Sequence, residues 1–122
     1  MSGFAVEVET QYIVEESDPD SERYVFAYTI TISNSGKSPA TLLRRHWLIT
    51  DASGEVEEVE GAGVVGEQPC IKPGESFRYT SGAVLKTPVG AMQGSYQFAR
   101  DDATSFSVPI PVFSLSVPNM VH

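Results

Sequence analysis

Basic residues are scarce in this chain. Eight lysines and arginines stand against 16 aspartates and glutamates over 122 residues, a formal net charge of −8. A surface of that sign repels a phosphate backbone and an anionic lipid surface, so neither nucleic-acid binding nor membrane binding is expected. Cysteine is scarcer still: Cys70 stands alone, so no internal disulfide can form and no oxidising compartment is needed. No apolar run approaches membrane-spanning length. The opening residues, Met1-Ser2-Gly3-Phe4-Ala5-Val6-Glu7, lack the basic-then-apolar order of a secretion signal. A cytoplasmic location is therefore expected. Helical periodicity is missing too, and no internal repeat or low-complexity tract is present.

What is present is a period of two. Phe4, Val6 and Val8 alternate with Ala5, Glu7 and Glu9; Tyr24, Phe26, Tyr28, Ile30 and Ile32 alternate with Val25, Ala27, Thr29 and Thr31. Aromatic and β-branched residues in that order suit a half-buried pleated surface. A third strand, residues 41–50, places Leu43, Arg45, Trp47 and Ile49 on one face and Leu42, Arg44, His46 and Leu48 on the other. Turn chemistry separates the runs. Asn34-Ser35-Gly36-Lys37, Asp51-Ala52-Ser53-Gly54 and Lys72-Pro73-Gly74-Glu75 are turns, the last with Pro and Gly at the central positions of a type II turn. Pro109 and Pro111 cannot donate to a ladder, so the last strand, residues 105–117, is broken or lies at an edge. The chain reads as a single all-β domain over residues 1–122. Its architecture is an antiparallel two-sheet β-sandwich of immunoglobulin or fibronectin type III kind, with about seven to eight strands. Trp47 on the third strand is read as core, together with Tyr96, with ligand stacking as the alternative role for Trp47.

Three constellations carry possible chemistry. Gly61-x-Gly63-x-x-Gly66 has the spacing of a dinucleotide fingerprint, but Pro69 and Pro73 follow where the phosphate-binding helix would have to start, and Glu60 and Glu67 flank the loop. The fingerprint needs that helix, so the Rossmann reading fails on context. Two readings of Gly61, Gly63, Val64, Gly66 and Gln68 stay open: a tight structural loop, or a nest of backbone N–H groups for a small anion such as pyrophosphate or a nucleotide phosphate. Arg44-Arg45-His46 is the second. Either arginine could meet an anion or a partner's carboxylate, or pair with the chain's own acids. Neighbours on a strand face opposite ways, so the two do not form one clamp. The third is Glu55, Glu57, Glu58, Glu60 and Glu67, which could offer oxygens to a hard cation. Alternation groups Glu58 with Glu60, and Glu55 with Glu57; a solvated acidic edge is the preferred reading.

For catalysis no convergent set is found. Histidine occurs only as His46 and His122. Cys70 is read as an inert buried thiol. No cofactor and no metal ligand is assigned, and the chain is expected not to be an enzyme.

Taken together, several motifs resemble the ApaG family. They are Arg45-His46-Trp47, the loop Gly61-x-Gly63-Val64-Val65-Gly66-x-Gln68-Pro69, Pro73-Gly74, Tyr79-x-Ser81, Gly90-x-Met92-x-Gly94-x-Tyr96 and Ile110-Pro111-x-Phe113-x-Leu115. The resemblance covers nearly the whole chain. It implies a fibronectin type III-like sandwich and, for a family also called CorD, a link to cobalt resistance and magnesium efflux. Similar domains in eukaryotes, appended to F-box and polymerase-interacting proteins, look like protein-interaction modules. No catalytic residue is carried over. The expectation is a non-enzymatic module for an unknown protein partner, with an indirect role in cation homeostasis. Small-anion binding and direct divalent-metal binding through the glutamates or His46 are the alternatives, and a homodimer through a sheet edge is a further expectation.

Overall fold

The alternating residues form eight strands: β1 (Phe4–Tyr12), β2 (Tyr24–Asn34), β3 (Ala40–Asp51), β4 (Val56–Ala62), β5 (Cys70–Ile71), β6 (Ser76–Leu85), β7 (Val89–Ala99) and β8 (Ser105–Ser116). In the computed structural model, which describes residues 3–118, they build two antiparallel sheets. One has the order β1-β2-β6. The other runs β4-β3-β7-β8, with β5 paired to the start of β3. The all-β two-sheet architecture read from the sequence is the observed one. Helix is confined to two single 3₁₀ turns, Val14–Glu16 and Pro19–Ser21, among the described residues; both lie in the acidic loop between β1 and β2.

Between the sheets lie the side chains the alternation points inward. Phe26, Tyr28, Ile30 and Ile32 of β2 are buried, and they face Trp47 and Tyr96 of the second sheet, which are 2% and 0% exposed. The Trp47 ring meets those of Tyr28, Tyr96 and Phe113 edge-on, at centroid distances of 5.4, 6.3 and 5.9 Å. Burying a large side chain of this kind contributes about 1.5–3 kcal/mol, and an edge-to-face aromatic pair about 0.5–1.5 kcal/mol more. These residues are therefore the framework of the sandwich.

The sandwich is shut on one side and open on the other. Where β1 comes beside β8, the Phe4 ring packs against Phe98 and Phe106 at 4.7 and 5.6 Å. On the far side the free edges of β4 and β6 face each other across a groove. β8 is an edge strand and also carries a bulge. Its ladder with β7 shifts register between Met92↔Phe113 and Gly94↔Ile110, which leaves Pro111 and Val112 opposite Gln93 alone. The edge half of the proline expectation is met, and in place of a break the strand bulges at Pro111 and runs on.

One alternation is overturned. The β3 ladder to β7 pairs Leu42 with Phe98 and Arg44 with Gln97, so Leu43 is an extra, bulged residue. From Arg44 onward the expected faces hold. Before the bulge they invert, and Leu42, expected on the outer face, is fully buried. A bulge inserts one residue on one strand only, so everything before it changes side.

Candidate functional site

The sequence-derived candidates gather on the β3–β4 hairpin, and its two faces do different things. Asp51–Gly54 turns the chain tightly: the Asp51 N–H donates to the Glu55 carbonyl at 3.0 Å and the Gly54 N–H to the Asp51 carbonyl at 3.2 Å. The resulting register sets Arg45 opposite Gly61 and His46 opposite Glu60. From Arg44 onward, odd-numbered residues of both strands face the groove and even-numbered ones face solvent.

On the inner face, Arg45 reaches across β4 and its Nη1 donates to the carbonyls of Ala62 and Gly63, each at 3.0 Å. Gly61 makes this possible. A Cβ there would lie 2.9 Å from both Nη1 and Nη2, so the glycine is the shelf on which the guanidinium rests. Neither Arg45 nor Arg44 has an ion pair among the described residues, which goes against the alternative that they pair with the chain's own acids. Arg45 stays half-buried, and its Nε and Nη2 have no acceptor among the described residues. Arg44 is exposed on the opposite face.

The glycine loop is docked on the β3 bulge. The Leu43 carbonyl, freed from the ladder, accepts from the Gly63 N–H at 2.7 Å and from Gln68 Nε2 at 3.0 Å. Val64 and Glu67 exchange N–H···O bonds at 2.8 and 2.9 Å, and the Leu42 N–H donates to the Pro69 carbonyl at 2.9 Å. Gly63 has φ +61°, and a Cβ on it would sit 2.1 Å from the Glu67 carbonyl oxygen. Val64 is fully buried. Of the candidate loop residues, Gly61, Gly63, Val64 and Gln68 thus serve the fold, while Gly66 projects into open space. Cys70 is exposed, which corrects the buried-thiol expectation. It lies in the two-residue β5, whose alternation turns Ile71 inward and Cys70 out.

Beside Arg45, between β3, β4 and β6, lies a pocket of about 330 Å³ walled by Tyr28, Trp47, Glu57, Ser81 and Val84. A larger cavity, about 750 Å³, lies at the β1–β8 side, where Arg100 is engaged over the Phe106 ring at 4.1 Å. Burial raises the Tyr28 phenol above its usual range, and the Ser81 hydroxyl and the Arg45 charge draw it partly back. Burial likewise drives Tyr79 and Tyr96 well above theirs; their hydroxyls bond each other at 2.5 Å. All three phenols are protonated at neutral pH. The Trp47 Nε1–H is buried with no acceptor among the described residues.

On the outer face, His46 Nε2 lies 2.6 Å from Glu58 Oε2 and 3.9 Å from Glu60 Oε1. One ligand atom from each of the three residues falls within 4.8 Å of the others. Alternation alone pairs Glu58 with Glu60; their meeting with His46 comes from the hairpin register. One imidazole nitrogen and two carboxylates form a donor set for a first-row divalent ion, with the solvent side left for water.

The ApaG domain model matches residues 14–100. Protein ApaG of Thiobacillus denitrificans is 56% identical over 117 residues, which cover 96% of this chain and 92% of that protein. Protein ApaG of Escherichia coli O1:K1 is 53% identical over 117 residues, 96% and 94% of the two chains. Among solved structures, a Bordetella pertussis protein given the name ApaA superposes with a TM-score of 0.93 at 48% identity, covering 96% of this chain and 95% of that one. An Archaeoglobus fulgidus protein shares the fold alone, with a TM-score of 0.55 at 9% identity over 95% of this chain and all of its own. With its motifs, fold and relatives in agreement over almost its full length, the chain belongs to the ApaG domain family.

Proposed function

We propose that this ApaG-family chain is a non-enzymatic, cytoplasmic protein-binding module whose part in cobalt and magnesium homeostasis is indirect. The observation that supports this reading is the free edge of β6. The other long edge strands carry features that discourage strand pairing: β8 has Pro109 and Pro111, β4 has Glu57, Glu58 and Glu60, and β1 has Glu7 and Glu9. β6, Ser76–Leu85, has neither a proline nor an acid, and Val84 on it is 48% exposed. An open edge of this composition suits a partner strand, with main-chain hydrogen bonds giving affinity and neighbouring pockets giving specificity. A photo-crosslinking residue at position 84, compared with one at Val112 on β8, tests it in native extract. Adducts specific to position 84 are expected; equal labelling from both positions would sink the reading. An adduct between two copies of the chain, with a dimer in sedimentation, would make the edge a self-association surface.

The His46–Glu58–Glu60 cluster favours a second reading, direct binding of a divalent ion. An imidazole with two carboxylates suits Co²⁺ better than Mg²⁺, which prefers an all-oxygen shell. Calorimetry on tag-free protein should then show Co²⁺ binding that His46→Gln removes. A flat Co²⁺ titration of the wild type ends this reading. The anion reading of the glycine loop has less support, because the Gly63 and Val64 amides already donate to Leu43 and Glu67.

A further inference from the structure

We infer that the pocket beside Arg45 receives one carboxylate, carried by an acidic side chain of an extended partner segment laid along the free edge of β6. This rests on the binding-module reading and names the chemistry of the partner.

The pocket holds hydrogen-bond donors in surplus. Arg45 is half-buried between the sheets, uses only Nη1, and meets no acid although the chain has 16. Glu57, the only acid in the pocket wall, makes no ion pair with it. The phenol of Tyr28 stays protonated beside the Ser81 hydroxyl, and the Trp47 ring forms part of the same wall, its indole N–H buried beneath the surface. A partly desolvated guanidinium with two idle donor nitrogens is costly to leave alone, and a planar carboxylate matches its fork. Gly61 holds the guanidinium in place before any ligand arrives, which lowers the cost of binding.

The occupant is a strand and not a free acid. A small carboxylate gains one partly solvated ion pair, which hardly offsets its lost freedom. A strand on β6 adds a ladder of main-chain hydrogen bonds and apolar contact with Val84, which borders both this pocket and the adjoining one that reaches Val56. It is also not a second β6, because Ser76–Leu85 contains no acid to offer. A polyacidic tract is disfavoured by Glu57 and by the net charge of −8.

The probe is a capped seven-residue peptide of alternating threonine and valine with glutamate at its centre, titrated against a twin with glutamine there. Amide spectra of the full chain give the readout. The chain has one tryptophan, so the indole signal is unambiguous. The glutamate peptide should shift that signal and the amides of residues 82–84, and bind about tenfold more tightly than its twin, the return on one charge-assisted contact. Arg45→Met should erase the difference. Gly61→Ala keeps the charge but displaces the flexible guanidinium, and should erase it too, so a folding defect in Arg45→Met leaves the test intact. Equal affinity of the twins, with the β6 amides shifted, overturns the carboxylate inference and leaves the binding module standing. Binding by neither peptide overturns it as well; if crosslinks at position 84 are also absent, the module reading falls with it. Identical shifts from sodium acetate at the peptide's concentration overturn the choice of a strand as the occupant.

Discussion

At the scale of the residue, the loop after β4 separates glycines that look alike in sequence. Gly63 and Gly66 both have positive φ, +61° and +81°, but a Cβ on Gly63 would strike the Glu67 carbonyl and one on Gly66 would meet nothing. Gly63→Ala should therefore cost about 2–4 kcal/mol, the sum of a left-handed backbone penalty and a displaced backbone. Gly66→Ala should cost about 1–2 kcal/mol, the penalty alone. Val65 between them holds φ +43° although it is β-branched and half-exposed. Val65→Asn should stabilise the chain by about 1 kcal/mol, since asparagine tolerates that conformation. Urea denaturation of the three variants checks the order; a Gly63→Ala no worse than Gly66→Ala would contradict the close approach. The sequence showed that these glycines form no dinucleotide site, because Pro69 and Pro73 bar the helix. It could not show which of them is sterically locked, because the atom that locks Gly63 belongs to a carbonyl four residues on.

At the scale of the element, the strands were legible and their pairing was not. Phe26 to Ile32 and Trp47 declare an inward row by alternation alone, and the core follows from them. Hairpin register is a finer matter. A β3–β4 hairpin centred on Ser53 sets His46 across from Glu60, whereas a slip of one residue would set Val59 there and turn the acids away. The turn residues allow either, so the His46–Glu58–Glu60 cluster was beyond the sequence. The bulge at Leu43 was hidden for a related reason: it is a property of the pair β3–β7 and of the loop that caps it. Gln68→Ala removes one of the two hydrogen bonds to the Leu43 carbonyl. Since Gln68 is exposed, global stability should fall by only about 0.5–1.5 kcal/mol. The Gly63 and Glu67 amides should meanwhile exchange markedly faster, as local opening of the loop becomes easier. Unchanged exchange at Gly63 would mean that the loop is held by Arg45 and the backbone alone.

At the scale of the whole molecule, the buried phenols set how the fold answers to alkali. Tyr28, Tyr79 and Tyr96 are raised above the ordinary tyrosine value of 10.0, with burial as the largest cause for each. Above that pH the unfolded chain releases protons that the folded chain retains. The unfolded state then binds fewer protons, so the free energy of unfolding falls as pH rises. The contribution is complete below about pH 10 and is lost as pH climbs toward the raised folded values. Tyr79 and Tyr96, the two strongly raised phenols, each cost about 1.4 kcal/mol per pH unit in that window, about 3 kcal/mol per unit together, and Tyr28 adds a smaller amount. Urea midpoints measured at pH 9 and pH 11 should show that drop, with the Tyr79 and Tyr96 phenolate absorbances appearing only on unfolding. Tyr79→Phe alone strands the Tyr96 hydroxyl and should cost about 1–3 kcal/mol at neutral pH. The double variant Tyr79→Phe, Tyr96→Phe should cost less than the two single changes combined, because it leaves no orphan, and its alkaline slope should fall to the smaller one left by Tyr28 alone. A double variant as alkali-sensitive as the wild type would place the titrating groups outside the sandwich core.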